Sequence, residues 1–334
     1  MGSLPERISR KAIPERVDAA GAVARSPGSG LGVDRRLIPQ APTRTGQEAR
    51  RPVMGVPAQS AVAGGPARAA ASAHSQPRVL CVINRKGGVG KTTCAFNLAG
   101  ALAHKGRQVL ILDLDPMGSL CRSLHIFPGK ITLSDLLVGV GGRLGDLIRP
   151  THIQNIYVIP GDPNLRTLEL RHATSAGLRL ALRDKLSELL KQKPFPYVII
   201  DCPPSLGLIS GNALLAAGEA LIPVDGSTYG MGALLDTLGI IELVRSNVNP
   251  SLSICGILLN NIDMGAIYDR TVLEVLRQQY GAGLFRTVVP SSPEADESSQ
   301  MGEPVISYAP QSWMAKAYMQ LAEEILARRP RNGG

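Results

Sequence analysis

Beyond residue 77 the chain alternates between short apolar runs and longer stretches in which apolar residues recur three and four positions apart. The short runs are RVLCVIN (78–84), RQVLILD (107–113), IYVIP (156–160), YVIID (197–201), ALIPV (220–224), SICGILL (253–259) and FRTVV (285–289). Several are nearly continuous in apolar residues, the pattern of strands covered on both faces. The longer stretches predict helices at 91–104, 175–191, 230–247, 267–280 and 312–328. One stripe, Leu182, Leu186, Leu189 and Leu190, reads as core packing. Strands alternating with helices predict an α/β fold, a mostly parallel twisted sheet with helices on both faces.

The first 77 residues break this pattern. They hold nine prolines and nine glycines and no Phe, Tyr or Trp, so they offer no repeating apolar face to bury. The expected organisation is therefore a disordered basic tail, 1–77, followed by one domain, 78–334. Charge follows the same division: of the net +9, the tail carries a surplus of six, from 11 Lys and Arg against 5 Asp and Glu. Its densest points are Arg35-Arg36 and Arg50-Arg51. Such a surplus suits a polyanionic partner, and equally suits plain solubilising charge.

Five cysteines stand singly at 81, 94, 121, 202 and 255, without the paired spacing of a zinc ribbon, which fits a reducing cytoplasm. The longest apolar runs are strand-sized, well short of the ~20 residues of a membrane span. The N-terminus lacks a secretory apolar region and places Glu6 where a myristoylation signal needs Ser or Thr. A cytoplasmic location with no membrane partner is expected.

The chemistry concentrates in NRKGGVGKTT, residues 84–93. A strand ending at Asn84, a glycine turn and a helix from Lys91 form the setting of a phosphate-binding loop, where successive N–H groups and the helix's positive end face an anion. Lys91 is placed to reach the β and γ phosphates, and Thr92 to ligate Mg²⁺. The strict pattern G-x-x-x-x-G-K-[ST] would need glycine at position 85, where the chain has Arg85; its glycines fall at 87, 88 and 90. The loop is instead K-G-G-x-G-K-T, opened by a second lysine, Lys86. Acidic residues end two strands: Asp113 and Asp115 in LDLDPMGS, and Asp201 in YVIIDCPPS. In a parallel sheet those ends share the crevice of the phosphate loop, where carboxylates can hold a metal-bound water or orient an attacking one.

Together KGGVGKTT, DLDPMGS and DCPPS resemble the deviant Walker A ATPases of the ParA/MinD group, and most closely ParA/Soj partition proteins. The likeness spans nearly all of 78–334, including NLAGALAHKGRQVLILDLDP and YAPQSWMAKAYMQLAEEIL. It implies a P-loop NTPase fold and ATP with Mg²⁺, held by Lys86, Gly87, Gly88, Val89, Gly90, Lys91, Thr92 and Thr93. It also implies an ATP-bound homodimer in which Lys86 contacts the partner's phosphates. By the same likeness Asp115 orients the attacking water, Asp201 reaches Mg²⁺ through water, Asn260 contacts adenine, and the segment from Pro290 closes over the base. Non-specific DNA, in a nucleoid-associated ATP state, and a ParB-like centromere-binding partner that stimulates hydrolysis are the implied partners.

The chain departs from the family pattern in places. Met117 and Ser119 stand where Gln and Asn are common, and Arg85 where Gln is usual. Ser291 and Glu294 replace arginines that help relatives hold DNA, whereas Arg270 matches another such arginine and equally reads as a helix-surface charge. Two other uses of the fold compete with DNA partition. One is positioning of a protein cargo, such as a chemoreceptor array or microcompartment; the other is a metabolic or redox enzyme. A membrane-anchoring amphipathic C-terminus and a tyrosine cluster, marks of further branches, are not evident in the sequence.

Overall fold

The computed structural model describes residues 76–172, 176–263 and 265–328. The expected tail up to residue 75, and residues 329–334, lie outside them. Among the described residues eight strands form one sheet: β1 (Arg78–Val82), β2 (Val109–Asp113), β3 (Arg149–Pro150), β4 (Ile156–Ile159), β5 (Tyr197–Asp201), β6 (Glu219–Val224), β7 (Ser253–Ile262) and β8 (Leu284–Pro290). Their order is β3-β4-β2-β5-β1-β6-β7-β8, and all neighbours are parallel except β3 with β4.

The apolar runs are explained by what covers them. Leu80 and Val82 of β1, Val109 and Ile111 of β2, and Ile199 of β5 belong to one core cluster. Their alternate neighbours Cys81, Leu110, Leu112, Val198 and Ile200 belong to the cluster on the opposite face. Successive strand side chains point to opposite faces, so a strand with helices on both sides must be apolar throughout. Each fully buried Leu or Ile contributes about 1.5–3 kcal/mol relative to exposure.

The predicted long helices form: α1 (Lys91–His104), α5 (Ala176–Gln192), α7 (Thr228–Asn247), α8 (Ile267–Tyr280) and α11 (Trp313–Ala327). Leu182, Leu186 and Leu189 are buried, as their stripe predicts. Ser227 caps α7 through Gly230 N–H, and Ser312 caps α11 through Ala315 N–H, each satisfying a helix-end donor. Among the described residues six short α-helices lie outside the predicted set: α2 (Ser119–Ser123), α3 (Leu133–Leu137), α4 (Asn164–Arg171), α6 (Leu208–Ala216), α9 (Glu294–Gln300) and α10 (Val305–Tyr308).

This topology positions the site. β1 lies between β5 and β6, and the chain order runs away from it on both sides. A crevice opens at such a reversal, outside the carboxyl ends of the strands. The loop after β1 emerges there, beside the ends of β2, β5 and β6.

Candidate nucleotide site

The loop is fixed first at its root. The buried Asn84 side chain donates to Pro223 O at 2.8 Å and accepts from Lys86 N at 2.9 Å, tying the turn to β6. Gly88 and Gly90 take φ of 74° and 81°, left-handed values that residues with a side chain rarely adopt. Gly90 leads directly into α1, whose N-terminus has no side-chain cap and no acidic residue in its first turn. Those uncapped N–H groups, with the helix dipole, make an anion site.

Behind the loop Lys91 is buried at 7% exposure, and its Nζ donates to Lys86 O at 2.9 Å. Burial lowers its pKa, opposed by the charges of Asp201, Cys202 and Asp115. Asp113 and Asp201 stand level on adjacent strands and are fully buried. Asp113 Oδ1 accepts from Asp115 N at 3.0 Å, but its Oδ2 and both carboxylate oxygens of Asp201 have no hydrogen-bond partner among the described residues. The Thr92 hydroxyl favours the ionised form of Asp201, opposing the effect of burial, without satisfying either oxygen. Burial is the main cause of Asp113 rising to about 6, and burial with the Asp113 charge raises Asp201 well above the usual carboxylate range. Buried, unpaired carboxylate oxygens next to a hydroxyl are a donor set suited to a hard divalent cation, so the residues fit Mg²⁺. Asp115 is half-buried and accepts from Met117 N at 2.9 Å, which orients its carboxylate at the end of β2.

Lys86 behaves differently. Its Nζ pairs with Asp225 and donates to Ser227 Oγ at 2.9 Å, both on the segment joining β6 to α7. Arg85 beside it pairs with the exposed Asp236 of α7, and Arg85 N donates to Thr237 Oγ1 at 3.2 Å. In the single chain the loop's leading edge is therefore fastened to α7.

A sequence-family match to an AAA domain covers residues 77–254. The chromosome partitioning protein ParA of Myxococcus xanthus is 36% identical over 252 residues, 75% of this chain and 88% of that protein. The sporulation initiation inhibitor protein Soj of Bacillus subtilis is 34% identical over 252 residues, 75% of this chain and 98% of that protein. The chain belongs to the ParA/Soj family of P-loop ATPases. Among solved structures, cobyrinic acid a,c-diamide synthase from Mycobacterium smegmatis, with bound ATP analog and magnesium, matches this ParA/Soj ATPase with a TM-score of 0.65 and 30% identity. That match covers 77% of this chain and 99% of that one.

The remaining expected residues of this ParA/Soj ATPase fall in distinct places. Gly87 and Gly88 are exposed at the loop's tip, Val89 is buried, and Thr92 and Thr93 are half-buried on the first turn of α1. Asn260 is buried on β7, with its amide already engaged: Nδ2 donates to Val89 O at 2.9 Å, and Oδ1 accepts from Tyr318 at 3.3 Å. Pro290 ends β8, and Ser291 N bonds Ile262 O at 3.0 Å. From there the chain enters α9, where Ala295, Ser298 and Ser299 line a small cavity with Thr92, Thr93 and Leu120. The first turn of α9 carries Glu294, Asp296 and Glu297, a placement that suits the helix dipole. Arg270 is exposed on α8.

Sequence reasoning passed over Asp225, Ser227 and Tyr318. Asp225 carried a signal, since it follows β6 in IPVDGS just as Asp201 ends YVIID. Tyr318 carried none beyond its place on an apolar helix face.

Proposed function

We propose that the protein binds ATP with Mg²⁺, pairs with a second copy in that state, and then holds DNA without sequence preference to drive plasmid or chromosome partition. A centromere-binding partner would stimulate hydrolysis and so release the dimer. The observation that carries this reading is the contrast within the loop. Lys91 is buried beneath its own phosphate cradle, whereas Lys86 lies at the rim, held by side-chain contacts it can exchange for a phosphate.

The chain's own groups divide the work. The N–H groups of residues 87–92 and Lys91 cradle the phosphates, and Asp115 accepts a hydrogen bond from the water that attacks the γ-phosphorus as the bond to ADP breaks. Thr92 and Asp201, with Asp113 alongside, would hold Mg²⁺, which when bound neutralises charge on the β and γ phosphates. Lys86 from each subunit meets the other's polyanion and is freed when it is cleaved, giving a two-state switch biased by the γ-phosphate. DNA contact falls to Arg270 and to the basic arm of residues 1–77, because the surface at Glu294 is acidic.

The test is retention of random-sequence duplex by the full chain with ATP, ADP or no nucleotide, beside Lys86→Ala and a chain lacking residues 1–77. Binding should need ATP and Lys86 and weaken steeply with salt. Deletion of the arm should reduce retention while the ATP dimer persists. A dimer that forms with ATP yet holds no DNA at low salt would overturn the partition reading and leave positioning of a protein cargo.

A further inference from the structure

We propose that Tyr318 and Asn260 form a brace that presets the phosphate loop, making Tyr318 a positioning residue for the phosphates whatever the base. The proposal rests on the reading of this loop as the nucleotide site and gives Asn260 a role other than contact with adenine.

The chain of contacts is short. Tyr318, in the second turn of α11, is fully buried, and its hydroxyl donates to Asn260 Oδ1. Asn260 Nδ2 in turn donates to Val89 O. An asparagine amide has one donor end and one acceptor end. If it reversed, its oxygen would face the Val89 carbonyl and both would be acceptors. The Val89 carbonyl can only accept and so sets the sense of the amide, and the Tyr318 hydroxyl, donating to the Oδ1 at its other end, holds the amide in place there.

Fixing the Val89 carbonyl also orients the next N–H. In a trans peptide the C=O and the following N–H point in opposite directions. Holding Val89 O toward Asn260, in the core, therefore turns Gly90 N–H toward the open side of the loop, where an anion would lie. The position is tight, since a Cβ on Gly90 would collide with Asn260 Nδ2.

The same C-terminal segment grips the helix behind the loop. Val305 N donates to Asn97 Oδ1 at 2.6 Å, and Asn97 Nδ2 donates to Thr93 O at 2.9 Å. Pro304 packs against Gly100, leaving no room for a Cβ there. Residues 304–318 thus hold both the loop's carbonyl and the first turns of α1, although none of them belongs to a nucleotide motif.

The experiment compares binding of ATP and of inorganic tripolyphosphate, each with Mg²⁺, to the full chain and to Tyr318→Phe, which removes one oxygen and keeps the ring. Measurements are made well below the melting temperature of each protein. Loss of one buried hydrogen bond should weaken both probes by the same factor, roughly threefold to tenfold. Asn260→Ala should weaken both by a common, larger factor, and adding Tyr318→Phe to it should cost nothing more. If Tyr318→Phe binds both probes as the wild type does, the brace is wrong. If Asn260→Ala weakens ATP but not tripolyphosphate, Asn260 reads the base instead. Should Asn260→Ala not fold, the Tyr318→Phe comparison decides alone. Wild-type protein that held neither probe would overturn the nucleotide-site reading, and the brace with it.

Discussion

Lys91 and Lys86 lie five residues apart on one loop in opposite surroundings. Lys91 is sealed under the turn and lies in the field of Asp201, which ends β5, and of Asp115, two residues beyond β2. Lys86 has a quarter of its side chain exposed and leans on Asp225, 139 residues away. The buried lysine is enclosed where it stands, while the switch proposed above asks the rim lysine to exchange its present carboxylate for a phosphate. A loop can therefore bind nucleotide with one end and report on it with the other. Replacing each lysine should separate these duties. Lys91→Ala is expected to abolish nucleotide binding by the single chain and to cut hydrolysis on the order of 10²–10³-fold or more. Lys86→Ala should cut hydrolysis comparably but leave ATP affinity of the single chain within about threefold, since its side chain is turned away onto Asp225. Nucleotide titration at low protein concentration, beside steady-state hydrolysis, checks both; equal loss of binding in the two variants would erase the contrast.

A smaller effect tests the resting contact itself. In the switch proposed above, the Lys86–Asp225 pair must open before Lys86 can serve another subunit, and the contact would lower the population of the pairing-competent state. Asp225→Asn keeps the hydrogen-bond acceptor that Ser227 uses and removes the charge. The ATP-dependent dimer should then tighten by roughly threefold to tenfold, the scale of a partly buried ion pair. Sedimentation with ATP measures this, in a background where Asp115→Ala slows hydrolysis; an unchanged or weaker dimer would mean that the contact does not restrain Lys86.

Both lysines of the loop were visible in the sequence, but the residues that act on it from a distance were not. Strands were legible because burial on both faces forces continuous apolar runs, and α1 and α8 begin and end where their periodicity does. The short helices were not. α2, α3 and α10 have too few turns to show a period, and such segments are helical because they dock, not from propensity. α6, LISGNALLA, is buried nearly all round and so has no polar face to reveal it. In the site, Lys91, Asp115 and Asp201 stood out because each is tied to a local pattern, a glycine turn or a strand end. Asp225 and Tyr318 act on the loop through contacts 139 and 58 residues apart in sequence, which no local pattern encodes.

The buried side of the comparison predicts a pH response that the rim does not. Asp113 has a folded pKa of about 6 against an ordinary 3.8, chiefly through burial, and Asp201 is raised alongside it. A carboxyl with a raised folded pKa binds its proton more tightly in the folded state. Its stabilising contribution is therefore complete below about pH 4 and is lost as pH rises through about 6. A tenfold difference in proton affinity is worth about 1.4 kcal/mol, so the nucleotide-free protein should lose about 1 kcal/mol from Asp113 between pH 5 and pH 7.5. For a domain of this size that is roughly 2–4 °C in melting temperature. Asp113→Asn removes this titration and much of the repulsion that raises Asp201, so its melting temperature should fall less over the same interval. Comparing the two proteins cancels the other carboxylates, which titrate in both. Saturating magnesium nucleotide should shrink the wild-type difference, because a cation beside the pair favours its ionised form. Parallel pH profiles for wild type and Asp113→Asn would mean that the unpaired oxygens at the ends of β2 and β5 are solvated in solution, and that the site is not held in tension for a cation.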